Sequence, residues 1–376
     1  MLMKEKVIGS KKMRKSNIEL LRILCTLMVI SLHMLNPAII GGIKYAKASG
    51  SFLAWGATNW LFCFSITAVD IFILISGYFM IDNDKRKIGK AINLFFVCSV
   101  YSVVKYVSLH LANGVPMEVK YLLQNIFPKS YYVFLYCTLY VISPYLNRMV
   151  RGMSRQSYRR LIIVGFVLFC LWPTIIDSYK NLTGSKVIEV FTIARDGNGS
   201  GFTLINFMYI YLLGGYLKKY PIVFRNAGMK YLELAAALGC SLINCAVTMA
   251  VPKLGGTGGL LGYDTALVVI QAAALFDFFT RIDVGSSSVI NFVAKSSFGI
   301  FLLHTTVIRM IMLVIDVPKM FRGGVLSALG CYFLLLAGSF AAAGLFDVLA
   351  HWVMTPVSRW WSKTRLFNFD AASLKE

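Results

Sequence analysis

Long apolar runs separated by short polar connections fill almost the whole chain. Ten such runs lie near 17–40, 52–80, 88–110, 131–147, 158–176, 202–217, 229–251, 260–279, 289–314 and 324–354. A helix needs about 20 apolar residues to span the roughly 30 Å hydrocarbon layer of a bilayer, and most of these runs reach that length. In lipid the backbone must satisfy its own polar groups, which leaves helices or a closed barrel, and the runs are too continuous for alternating barrel strands. The pattern predicts an all-α, polytopic membrane helix bundle of about ten transmembrane helices. The longest connection, around 177–201, ends in RDGNGSG and leaves no room for a soluble domain. The first run carries Glu19, Arg22 and His33 and no small-residue cleavage pattern follows it, so it is expected to remain as a span rather than be removed as a signal peptide. The expected organisation is a basic N-terminus over 1–16, a membrane domain over 17–354 and a tail over 355–376.

Composition agrees: the 376 residues are 57% hydrophobic and 15% charged, where soluble domains carry about a quarter charged residues. A formal net charge of +21 raises nucleic acid as a partner, but the distribution argues against it. Alternate connections, starting from the N-terminus, hold 24 lysines and arginines and the intervening ones 10, while Arg22, Lys105, Lys295 and Arg309 fall inside spans. That asymmetry is the positive-inside pattern, and it predicts cytoplasmic termini and contact with the lipid bilayer. The eight cysteines lack metal-ligand spacing, so they read as small apolar residues and no metal site is expected.

Ionisable groups inside a bilayer are costly, so each marks either a site or a structural pairing. From Arg22 to His33 is eleven residues, three helical turns plus about 20°, which puts both on one face roughly 16 Å apart. Glu19 stands i,i+3 from Arg22 and can pair with it. With the N-terminus inside, Arg22 lies toward the cytoplasm and His33 in the outer third. A guanidinium suits an anion entering from the cytoplasm, and a histidine suits proton transfer near neutral pH. In the second span, Asp70 falls near the midplane, where Arg22 or His33 is the expected partner. Ser76 offers a hydrogen bond, and Gly77 allows a close backbone approach. The loop DNDKRKIGK places Lys85, Arg86, Lys87 and Lys90 at the cytoplasmic mouth, either as topology signal or as contacts to a phosphorylated donor. His304, in the ninth span, reaches the depth of His33. Asn206, Asp264, Gln271 and Asp277 read as structural hydrogen bonders.

Four segments, in this order, carry a resemblance: RKSNIELLRILCTLMVISLHM, VDIFILISGYFM, YYVFLYCTLYVISPYLNRM and AKSSFGIFLLHT. The chain resembles the acyltransferase-3 type of bacterial transmembrane acyltransferases over almost its whole length. The family's opening helix has a basic residue, ten intervening residues and a histidine, matched by Arg22 and His33. Tyr131 and Tyr132 open the aromatic helix where many relatives have tryptophan, and Lys87 and Lys90 stand where others have an arginine pair. The resemblance implies a multi-pass protein of the bacterial plasma membrane that moves an acyl group, usually acetyl, from acetyl-CoA to a hydroxyl of an envelope polysaccharide or lipid-linked sugar. Acyl-CoA is then a co-substrate, and no bound cofactor is expected. Arg22, with Glu19, Lys85, Arg86, Lys87 and Lys90, would hold the donor, Ser76, Tyr131 and Tyr132 would contact substrate, and His33 would act as base or acyl relay. Asp70 and His304 would assist it. Some relatives append a soluble esterase-like domain, and this chain is expected to act without one or to hand its acyl group to a separate extracytoplasmic partner. Two other classes fit the same polar groups: a transporter or flippase, and a structural subunit.

Overall fold

The computed structural model describes residues 16–114, 116–127, 130–185, 199–254 and 259–370. The basic stretch 1–15, residues 186–198 of the longest connection and the end of the tail lie outside the described residues. Among the described residues the chain is helical and has no strand; one antiparallel bridge joins Lys87 to Asp370. The main helices are α1 (Asn17–Leu35), α2 (Phe52–Ser65), α3 (Ala68–Met80), α4 (Ile88–Asn113), α5 (Tyr131–Arg151), α6 (Arg155–Thr183), α7 (Leu204–Lys219), α8 (Lys230–Ala250), α9 (Ala266–Arg281), α10 (Ser297–Ile311) and α11 (Val325–Trp361). Every apolar run is therefore helical.

Among the described residues, six stretches are long and apolar enough to cross a membrane: α1, α2 with α3, α4, α6, α8 and α11. The other helices of the apolar runs are α5, α7, α9 and α10. α7, α9 and α10 have 16, 16 and 15 residues, about 24 Å at 1.5 Å per residue and short of the hydrocarbon thickness. They pack inside the bundle, α7 on α3, α9 on α8 and α10 between α1 and α11. A helix screened by its neighbours need not be apolar all round, which is why α9 buries Gln271 and Asp277.

The run 52–80 differs from the single helix its apolarity predicts. It breaks at Ile66–Thr67, and Gln271 of α9 donates to the freed carbonyl of Phe64 at 2.9 Å. A break in hydrocarbon is tolerated where another side chain satisfies the released backbone group. In α6 a wide turn at Val167–Leu171 precedes Pro173, the local adjustment that a proline without an N–H requires. α11 also runs past the expected end of the membrane domain at 354, to Trp361, with Pro356 inside it. The tail then folds back: Phe367 packs where a side chain on Gly89 would stand, and Ile88 donates its backbone N–H to the Phe369 carbonyl at 3.0 Å.

Gly77 meets its expected close approach. A Cβ there would collide with the Tyr211 carbonyl of α7, and one on Gly214 would collide with the Leu74 carbonyl of α3. The two helices thus touch backbone to backbone through reciprocal glycines. Gly77→Val should lower the melting temperature of the detergent-solubilised protein by the equivalent of about 1–3 kcal/mol, whereas Gly239→Ala, inside α8 with no neighbour within 4 Å, should hold or slightly raise it.

Candidate active site

α1 and α10 lie against one another and bring two histidines together. The rings of His33 and His304 are 4.7 Å apart between centroids and meet edge to face at 68°. Each Nδ1 points at the carbonyl one turn earlier, His33 to Val29 at 2.9 Å and His304 to Ile300 at 3.2 Å. A carbonyl can only accept, so Nδ1 carries the hydrogen in each neutral ring and Nε2 keeps its lone pair. His304 is buried and its Nε2 has no hydrogen-bond partner among the described residues. Two imidazoles with open Nε2 atoms can accept a proton and pass it on.

Both rings line a cavity of about 1090 Å³, together with Tyr131, Lys105 and Trp55. That is the upper end of the size range of ligand clefts, about 300–1,000 Å³. A second pocket, of about 400 Å³, is lined by Glu19, Arg22, Ser76, Tyr132, Lys295 and Phe301 among others. Phe301 lines both. Its ring lies 5.2 Å from that of Tyr132 on one side and 6.3 Å from that of His304 on the other. The shared face of α1 thus places Arg22 in one chamber and His33 in the next, with an aromatic partition between them.

In the Arg22 pocket, Arg22 pairs with Glu19 at 3.5 Å and stays one-third exposed, so its guanidinium has donors to offer a ligand. Ser76 spends its hydroxyl hydrogen on the Phe72 carbonyl at 2.9 Å and can still accept. The model of an acyltransferase domain family, the acyltransferase-3 domain, matches residues 15–344, which include both chambers. The chain belongs to this acyltransferase family. No curated protein and no solved structure matches it.

The other candidates of the acyltransferase divide between the two chambers and the surrounding frame. Tyr131 and Tyr132, adjacent in sequence, are divided: Tyr131 faces the histidine cavity and Tyr132 the Arg22 pocket. Asp70 sits in the first turn of α3, fully buried, and forms no ion pair with Arg22 or His33; the charged group acting on it is Asp264. Asp264 lies in the connection ahead of α9. Arg86 is buried and structural: it donates to Ser143 Oγ at 2.7 Å and to the carbonyls of Lys85 and Met80 at 3.0 Å each. Lys85, Lys87 and Lys90 are exposed and line neither chamber, and Lys87 donates to Asn368 at 3.0 Å.

Lys105, Lys295 and Phe301 are lining residues that the sequence did not single out. Lys105 lies within electrostatic reach of both histidines. The signal was present, since Lys105 and Lys295 are charges inside apolar runs, but each reads equally as a snorkelling residue. Arg86→Ala should destabilise the purified protein by about 2–4 kcal/mol, because it strands buried acceptors and a helix end. Lys90→Ala should change its thermal unfolding by less than about 0.5 kcal/mol.

Proposed function

We propose that this acyltransferase is a ten-span protein of the bacterial plasma membrane with both termini in the cytoplasm, and that it carries an acetyl or similar short acyl group across the bilayer. Acyl-CoA enters the Arg22 pocket from the cytoplasm, with its phosphates near Arg22 and Lys295 and its thioester passing Tyr132 and Phe301. A hydroxyl of an envelope polysaccharide or lipid-linked sugar enters the histidine cavity from outside. Nε2 of His33 takes the hydroxyl proton as the oxygen attacks the thioester carbonyl. The C–O ester bond forms, the C–S bond breaks, and the proton returns to the departing CoA sulfur, with His304 sharing the imidazolium charge. In the alternative order, His33 carries the acyl group briefly before the sugar takes it.

The observation that carries this reading is the pair of Nε2 atoms left open in one chamber, across Phe301 from an arginine-lined chamber. A structural histidine usually has both nitrogens satisfied, whereas His304 Nε2 is buried without a partner among the described residues. A transporter could use the same bases to move protons, but it would leave its solute unmodified.

Labelled acetyl-CoA supplied to inside-out vesicles should label glycan in their lumen. His33→Gln should cut that label at least about a hundredfold, the usual worth of a positioned base, and His304→Gln should weaken it, with both proteins inserted at wild-type levels. Glycan labelled normally by the His33 variant would contradict the mechanism, and uptake of an unmodified solute would support a transporter.

A further inference from the structure

The charged side chains of the histidine cavity are unbalanced. Among the described residues its lining includes Lys44, Lys47, Lys105 and Lys180 against the single acid Asp177. Lys44, Lys47 and Lys105 make no ion pair among the described residues. Lys105 stands in the C-terminal half of α4, partly buried in an apolar stretch, with Arg309 as a further positive neighbour. A cation placed there without an acid is costly unless something negative arrives.

Lys44 and Lys47 have exposed side chains at the cavity lining, on a backbone held by its packing. They lie on a short helix, Gly42–Ala48, whose start is wedged against the bundle. A Cβ on Gly42 would stand 3.0 Å from Leu35 and 3.1 Å from both the Met34 carbonyl and Phe321, and Gly41 ahead of it has φ +93°. Lys47 Nζ sits 5.2 Å from the ring of Trp55, which lines the same cavity. The chemistry of acyl transfer does not require these cations. The thioester is neutral, the phosphates of the donor belong with Arg22 and Lys295 beyond the Phe301 partition, and a developing oxyanion takes one or two hydrogen-bond donors, which need not be cations.

We propose that the acceptor is an anionic glycan, whose carboxylate or phosphate is held by Lys105, Lys44 and Lys47 while a nearby hydroxyl meets the histidine pair. The anion is either a substituent of the repeating sugars or the pyrophosphate that joins a glycan to its lipid carrier. This inference rests on the histidine cavity being the acceptor side of the acyltransferase.

The test is mass spectrometry of surface glycan from cells that lack the chain or express wild type, Lys105→Gln, Lys105→Arg or Lys44→Gln/Lys47→Gln, together with the salt dependence of transfer in vesicles. The chain-dependent ester should lie on, or next to, a sugar bearing a carboxylate or phosphate. Its recurrence along the chain marks a sugar substituent, and its restriction to the lipid-linked end marks the pyrophosphate. The glutamine variants should lose at least about tenfold of the ester, as expected for losing a hydrogen bond to a charged group, and Lys105→Arg should recover most of it. Transfer by wild type should fall with added salt more steeply than transfer by the double variant. An ester confined to neutral repeats, or an ester at wild-type level in the glutamine variants, would overturn the proposal. The same ester in cells lacking the chain is a different result, and it removes the acyl-transfer reading itself.

Discussion

Inside a bundle surrounded by hydrocarbon, a polar atom without a partner has no water to turn to, and this requirement organises the acyltransferase. Asn17 at the start of α1 donates to the Phe279 carbonyl at the end of α9 at 2.8 Å. Gln271 closes the break between α2 and α3. Asn147 holds the carbonyls of Met80 and Asn83 at 2.9 and 3.0 Å while accepting from Tyr211. Tyr101 donates to the buried Asp347 at 2.5 Å. These bonds, together with the reciprocal glycines of α3 and α7, set the frame against which α1 and α10 are placed. His304 Nε2 is one of the buried polar atoms left without a partner among the described residues, and it stands beside His33 at a cavity large enough to bring a partner in.

The helices were legible because lipid permits so few alternatives. An apolar run of about 20 residues must be helical, and each of the ten runs is. What lateral packing decides was not legible. Nothing in the hydropathy of 52–80 marks a break at Ile66–Thr67, since the residue that makes it tolerable, Gln271, is some two hundred positions away. α5 extends to Arg151, which reaches Asp84 at 2.5 Å, while Arg148 lies 3.9 Å from the same carboxylate. The tail docks through Phe367 and Gly89, a fit of shape that leaves no periodic trace.

The site was legible along a helix but not between helices. Helical geometry alone put Arg22 and His33 on one face of α1, and depth alone put His304 level with His33. Their approach to 4.7 Å is a property of how α1 and α10 pack. The division of Tyr131 from Tyr132 follows from neighbouring residues of a helix pointing about 100° apart, so adjacency in sequence was a poor guide to a shared role. The basic loop after α3 misled in another way. Four like charges read as one cluster, yet Arg86 turns inward to hold the loop while Lys85, Lys87 and Lys90 face outward.

In the proposed mechanism donor and acceptor meet at the histidine pair from opposite sides of the Phe301 partition. The most direct measurement is an experimental structure of the protein in a lipid nanodisc with a non-hydrolysable acetyl-CoA analogue. The account predicts the nucleotide beside Arg22 and Lys295, and the acyl carbonyl past Phe301 within about one bridging hydroxyl of the His33 and His304 Nε2 atoms. A donor bound wholly within the histidine cavity, or one whose acyl group ends in the Arg22 pocket with no path to either ring, would contradict it.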